Sequence, residues 1–256
     1  FLSGLQPSEL IIIAARPSVG KTALALNIAE NVAIDRGKPV FICSLEMAAE
    51  QLALRMISSR SGIDGQKLRK GTLLETDWYS LSYTVGKLSE APIFIDDTSN
   101  MTTLDIRARA RRLKAENKLS LIIIDYLQLI SGRGRVENRQ QEVAEITRDL
   151  KSIAREMQVP VLCLAQLSRS VENAADKMPK LSHLKESGEI EQTADVVMFI
   201  HRYDEAELKK DPNLRNLVKI IIAKQRNGPI GDFDLYWKKE LTKYENLADS
   251  QYSQEE

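Results

Sequence analysis

A surplus of charge is missing from this chain: its 256 residues carry 36 Lys and Arg against 36 Asp and Glu, a net charge of zero. That balance excludes capture of nucleic acid by a global positive field, so any such partner has to be held by local loops. Cysteine is scarce. Cys43 and Cys163 both sit inside apolar runs that read as core strands, without metal-ligand company, which points to inert buried thiols in a reducing compartment. No stretch approaches the roughly 18 apolar residues of a membrane span, and no signal-peptide pattern opens the chain, so a soluble, intracellular protein with no membrane partner is expected. Met is absent from the first position, where Phe1 stands, and the first expected strand follows closely, which reads as a piece of a longer protein lacking an amino-terminal domain.

What is present centres on residues 15–22, A-R-P-S-V-G-K-T. Residues 10–14 are a short apolar, β-branched run suited to a buried strand, and residues 23–36 have helical composition. Strand, tight loop and helix start, in that order, make a phosphate-binding loop. Successive backbone N–H groups face inward, and the helix N-terminus at Lys21 adds partial positive charge. Lys21 would reach the β and γ phosphates of ATP, and the Thr22 hydroxyl would take one position on Mg²⁺, with Arg16, Pro17, Ser18, Val19 and Gly20 completing the cradle. The usual first glycine of G-x-x-x-x-G-K-[ST] is replaced by Ala15, while Pro17 can fix part of the loop's shape. The bland alternative is an accidental Gly-Lys-Thr at a helix start.

Elsewhere apolar strands alternate with helices. Residues 39–44, 92–96, 119–125, 159–165, 196–201 and 218–223 read as strands, and 233–237 pairs back as a hairpin after the turn Asn227-Gly228-Pro229. Helices are expected over 48–60, 102–117 and 139–157, the second capped by Thr102 or Thr103 and the last with Val143, Ile146, Leu150, Ile153 and Ala154 on one face. Shorter helical pieces cover 62–71 and 73–88, with Asp64 and Asp77 as caps or first-turn acids. Helix 102–117 carries Arg107, Arg109, Arg111, Arg112 and Lys114, a basic face that is either solvated or a subunit contact. Residues 167–190 are polar and too long for a plain connection, hence a candidate functional loop, and residues 246–256 read as a disordered tail. This alternation makes residues 1–245 one doubly wound α/β domain, with a mostly parallel central sheet flanked by helices and ligand sites at the carboxyl ends of its strands.

That rule is a test, because the phosphate loop, Glu46, Asp125 and Gln166 each follow a different expected strand and would converge on one crevice. Asp125 after an apolar run has the pattern of a Walker B acid that holds Mg²⁺. Tyr126, not Glu, comes next, so the group that activates water must come from elsewhere. Glu46 is the candidate base; its bland alternative is a helix N-terminal acid favoured by the dipole. Gln166 could contact the γ-phosphate and report its loss to the adjoining loop.

With these features the chain resembles the carboxyl-terminal ATPase domain of the DnaB-type replicative helicases, a hexameric branch of the RecA-like P-loop ATPases. The resemblance rests on residues 15–22, on S-L-E-M at 44–47, on I-I-I-D-Y-L-Q-L at 122–129, on A-Q-L-S-R at 165–169 and on K-Q-R-N-G-P-I-G at 224–231. It covers nearly the whole chain, and Ala15 is a common variant within the family. It implies Lys21 and Thr22 on phosphates and Mg²⁺, Glu46 as catalytic base, Asp125 as Walker B acid, Gln166 as sensor and Arg55 as a nucleotide contact. Lys224, Gln225 and Arg226 would belong to the neighbouring subunit's site, with Arg226 as an arginine finger. L-K-E-S-G-E-I at 184–190 matches a channel loop, where Lys185, Glu186 and Gly188 would meet the DNA backbone; the bland alternative for Lys185 is a surface lysine. Between Arg169 and Glu191 four basic residues face five acidic ones, so one subunit would bind DNA weakly and six by summation. The resemblance further implies a homo-hexamer on single-stranded DNA, translocating 5′ to 3′, cytoplasmic and nucleoid-associated, with a primase and a helicase loader as partners. The rival readings are a RecA-like ATPase that does not unwind and a nucleotide-binding scaffold without turnover.

Overall fold

Runs of Ile, Leu and Val buried on both faces suit the middle of a parallel sheet, where helices cover each side. In the computed structural model, which describes residues 2–132, 138–168, 178–184 and 188–247, such runs form β1 (Leu10–Ala15), β2 (Val40–Ser44), β4 (Leu121–Asp125) and β5 (Val161–Gln166). Between β2 and β4 comes β3 (Ile93–Asp96), and β6 (Val196–Arg202) follows β5; all these strands pair in parallel. β7 (Leu217–Gln225), β8 (Gly231–Lys238) and β9 (Lys243–Glu245) then extend the sheet antiparallel. Among the described residues the order is β3-β2-β4-β5-β1-β6-β7-β8-β9.

The period of two along β1 divides the core. Leu10, Ile12 and Ala14 join one cluster, Ile11, Ile13 and Ala15 the other. The second cluster is closed by α1 (Lys21–Glu30) and α2 (Ala49–Ser61), through Ala25, Leu26, Ala29, Leu52 and Met56, with α3 (Gly65–Lys70) and α4 (Asp77–Glu90) beside α2. The first is closed by α5 (Thr103–Ala115) and α6 (Arg139–Met157). α6 has the bounds its periodicity predicts and buries Val143, Ile146, Leu150 and Ile153, each worth about 1.5–3 kcal/mol of apolar transfer. Asp64 caps α3 by accepting from the Gln66 N–H, and Asp77 is a first-turn acid of α4, as expected.

Several expectations change. The helix expected over residues 23–36 is α1 followed by a π turn, Asn31–Asp35. The Arg60 guanidinium, reaching Glu30, Asn31 and Asp35 together, holds that widened turn. The basic face of α5 is partly paired within the chain: Arg109 pairs with Asp96 at 2.8 Å, Arg111 with Glu156 at 2.5 Å, and Arg107 lies 3.8 Å from both Asp149 and Glu156. Arg112 is the most exposed of these arginines, at 84%, and lies 3.7 Å from Glu116 on its own helix end. Within the span read as one loop, Leu167 bridges to Leu184, a 3₁₀ turn covers Leu181–His183, and α7 (Gly188–Thr193) follows; α8 (Glu205–Lys210) comes after β6. Residues 169–177 and 185–187 of that span, and the tail from 248 onward, lie outside the described residues. Among the described residues no helix is long and apolar enough to cross a membrane.

Candidate nucleotide site

Ala15 is the last residue of β1, fully buried, paired with Gln166 on one side and Ile200 on the other. The position has ordinary strand geometry, which explains why it does not need glycine. The left-handed residues of the loop come later, at Ser18 (φ 62°) and Gly20 (φ 114°). Gly20 is the N-cap of α1 and offers no side chain to the first-turn N–H groups, so those donors and the helix dipole are open to an anion. Arg16, Pro17, Ser18 and Val19 form the loop between strand and helix, with Pro17 and Ser18 exposed.

At the helix start, the Thr22 hydroxyl donates to Asp125 Oδ2 at 2.7 Å. Asp125 ends β4 and is 3% exposed, yet its Oδ1 has no hydrogen-bond partner among the described residues. Burial pushes its carboxyl above the ordinary range, against the pull of the Thr22 hydroxyl and of the Lys21 and Arg55 charges. A buried, unsatisfied carboxylate oxygen beside a threonine hydroxyl fits a hydrated Mg²⁺. Among the described residues no group of 3 or more His, Cys, Asp and Glu gathers as a metal cage.

Lys21 lies over the Tyr126 ring, 4.5 Å from its centroid. Burial lowers its pKa, while Asp125 and Glu46 act in the opposite direction. Arg55, on α2, is likewise lowered by burial and raised by the same two carboxylates. Two cations and two anions therefore meet at one edge of the sheet. Glu46 reaches it because Ser44 pairs with Asp125 and the Leu45 N–H donates to the Asp125 carbonyl at 2.8 Å. The turn is tightened by the Ser44 hydroxyl, which donates to the Met47 carbonyl. α2 starts only at Ala49, with Glu50 as its first-turn acid, so Glu46 is exposed and outside the helix. The helix-dipole explanation belongs to Glu50.

Gln166 ends β5 beside the loop, its main chain gripped at both groups by one side chain: the Gln128 amide accepts from its N–H at 3.1 Å and donates to its carbonyl at 3.2 Å. Lys224, Gln225 and Arg226 are elsewhere. Lys224 pairs with Val197 and Gln225 with Val196, at the entry end of β6 beside Ile11, whereas the phosphate loop leaves β1 opposite Ile200. That is about 13 Å of strand away, at the opposite ends of the strands. There the Lys224 ammonium donates to the carbonyls of Glu191, Gln192 and Ala194, and Arg226 donates to Gln192 at 2.7 Å. Gly188 opens α7 with open space around it; Lys185 and Glu186 lie outside the described residues. Sequence reasoning missed Tyr126, Gln128 and Tyr244, whose hydroxyl touches the phosphate loop. Tyr126 and Gln128 sat inside a quoted motif, but Tyr244 had no local signal.

The chain matches, over residues 1–246, the family described as the DnaB-like helicase C-terminal domain. It is 56% identical over 246 residues to the replicative DNA helicase DnaB of Geobacillus stearothermophilus, covering 96% of this chain and 54% of that protein. It is 55% identical to the replicative DNA helicase DnaC of Bacillus subtilis (strain 168), with the same coverage of 96% and 54%. The chain thus spans about half the length of these curated relatives. Among solved structures, a DnaB-like replicative helicase described with its interactions with primase superposes with a TM-score of 0.89 at 38% identity, over 95% of this chain and 58% of that one. A second solved structure, described as an ATPase domain, gives a TM-score of 0.89 at 38% identity, over 95% of this chain and 86% of that one. With a family model matched over nearly its whole length and relatives and solved structures of the same kind beside it, the chain belongs to the DnaB-like helicase C-terminal domain family.

Proposed function

We propose that this chain is the ATP-hydrolysing motor domain, residues 1–245, of a replicative DNA helicase that works as a homo-hexameric ring on single-stranded DNA. The observation that carries the reading is the Thr22–Asp125 pair at 2.7 Å, with an unsatisfied Asp125 oxygen, next to Lys21 and Glu46. In this reading the loop N–H groups from Ser18 to Thr22 and the Lys21 ammonium bind the phosphates of ATP, with Ala15, Arg16 and Pro17 completing the cradle. Thr22 and Asp125 would hold Mg²⁺, which, when bound, offsets phosphate charge. Glu46 accepts the proton of the attacking water, Arg55 and Gln166 lie against the nucleotide, and Gln166 senses the γ-phosphate.

The position of Lys224, Gln225 and Arg226 at the opposite strand ends supports their serving the site of a neighbouring subunit, since their own loop is out of reach along the strands. A guanidinium supplied across the interface stabilises the charge that develops on the transferring phosphoryl group. Lys185, Glu186 and Gly188 contact the DNA backbone in the channel, and translocation runs 5′ to 3′. A primase and a helicase loader are the partners, and the protein works in the cytoplasm, at the nucleoid.

The test is ATP hydrolysis with and without single-stranded DNA. Hydrolysis that DNA stimulates is the expected result; a chain that binds ATP and never turns it over, with or without DNA, contradicts the reading.

A further inference from the structure

Tyr244 lies 224 residues from Gly20 in sequence and yet touches the outer side of the phosphate loop. Its hydroxyl is 3.2 Å from the Val19 carbonyl and 3.4 Å from the Gly20 carbonyl, and it is the group that donates. Burial raises the phenol's pKa, so the hydroxyl keeps its proton throughout the physiological range. In a trans peptide the carbonyl and the N–H point in opposite directions. The Gly20 carbonyl also accepts from the Leu24 N–H at 3.0 Å, the first bond of α1, so the hydroxyl acts chiefly on the Val19 carbonyl; holding that carbonyl on the outside turns the Gly20 N–H toward the inside, where phosphate oxygens would sit.

The hydroxyl is itself held from several directions. Tyr244 pairs with Trp237 across β8 and β9, and the two rings meet tilted at 41° with centroids 4.5 Å apart. The Tyr244 N–H donates to Asn27 Oδ1 at 2.8 Å, which fastens β9 to the helix that the loop opens. Asn27 is in turn fixed by donating to the Ser59 hydroxyl at 3.1 Å. A Cβ built on Gly20 would run into the Tyr244 hydroxyl, so the close approach exists only because position 20 is glycine.

We propose that Tyr244 is a positioning residue of the phosphate loop, its hydroxyl pre-orienting the Val19–Gly20 peptide for nucleotide; this rests on reading residues 15–22 as the nucleotide site. Pre-orientation removes an ordering penalty that binding would otherwise carry. The effect belongs to the part of the cradle that serves ADP and ATP alike.

The experiment is titration of fluorescent ADP and ATP analogues against the wild-type chain and the variants Tyr244→Phe, Trp237→Phe and Lys21→Ala, with thermal melts of each. Loss of one neutral hydrogen bond predicts a Kd raised about fivefold for both nucleotides in Tyr244→Phe. Trp237→Phe loosens the same ring pair but keeps the hydroxyl, and should lower Tm with Kd within about twofold of wild type. Unchanged affinity in Tyr244→Phe, or an equal loss in Trp237→Phe, overturns the proposal while Lys21→Ala still loses binding. If Lys21→Ala binds as wild type does, the nucleotide-site reading fails first, and the proposal with it.

Discussion

Glu46 is the residue on which turnover is expected to depend, because the strand carrying Asp125 runs on into Tyr126 and offers no second acid. Glu46→Gln keeps the size and removes the proton acceptor. ATP affinity should stay close to wild type while kcat falls by about 10²–10⁴, the usual contribution of a general base. Nucleotide titration beside steady-state hydrolysis separates the two, and near-normal turnover would remove Glu46 from the mechanism. A second acid, Glu30, controls stability. It is buried at the far end of α1 against Ser59 and Arg60 of α2, and burial lifts its pKa from 4.5 to about 7. The folded state then binds the proton more tightly than the unfolded chain, so this contribution is full below about pH 4.5 and is lost as pH rises to about 7. The loss is on the order of 3 kcal/mol. Urea melts from pH 5 to 8 should show Glu30→Gln with a flatter stability profile than wild type; parallel profiles would mean that Glu30 does not titrate in this range.

At the scale of elements, α5 shows how a helix is started. Thr102 accepts from the Asp105 N–H and Asp105 accepts from the Thr102 N–H, a reciprocal capping box. Thr102→Ala should destabilise the domain by about 1 kcal/mol, read as a lower urea midpoint at unchanged slope. Thr102 is one of the two caps that the pattern predicts, and the main strands and α6 are equally plain, because long apolar runs and a sustained 3.6-residue period are local properties. β9, α7 and α8 were not legible: three to six residues are too few for a period to emerge. The acids that neutralise α5 were hidden for another reason. Asp149 and Glu156 lie on a helix some forty residues further on, and only packing of α5 against α6 brings them together. In the site, Lys21, Thr22, Glu46, Asp125 and Gln166 could be read from the rule that strand ends converge. Tyr244 could not, since its contact with Gly20 depends on three antiparallel strands folding back across the loop helix.

For the whole molecule, the separation between the phosphate loop and the Lys224–Arg226 tip makes a single subunit incomplete in the proposed reading. The two parts of the site lie at opposite strand ends of one sheet, an arrangement that a closed ring of identical copies can satisfy at every interface. DNA binding follows the same logic of summation. Lys185→Ala should weaken single-strand affinity at low salt and reduce the log–log salt slope by roughly 0.7 for each lysine engaged, without altering sequence preference. An unchanged slope across a salt series would leave Lys185 as a surface lysine. The interface claim is tested most directly by mixing subunits. Arg226→Ala should lower ring ATPase by about 10³ or more, and Glu46→Gln rings should also be inactive. Combined in rings shown to contain both variants, they create some interfaces with an intact base and an intact finger. The account predicts that the mixture recovers ATPase well above either variant alone; mixed rings that stay as inactive as their parents would contradict it.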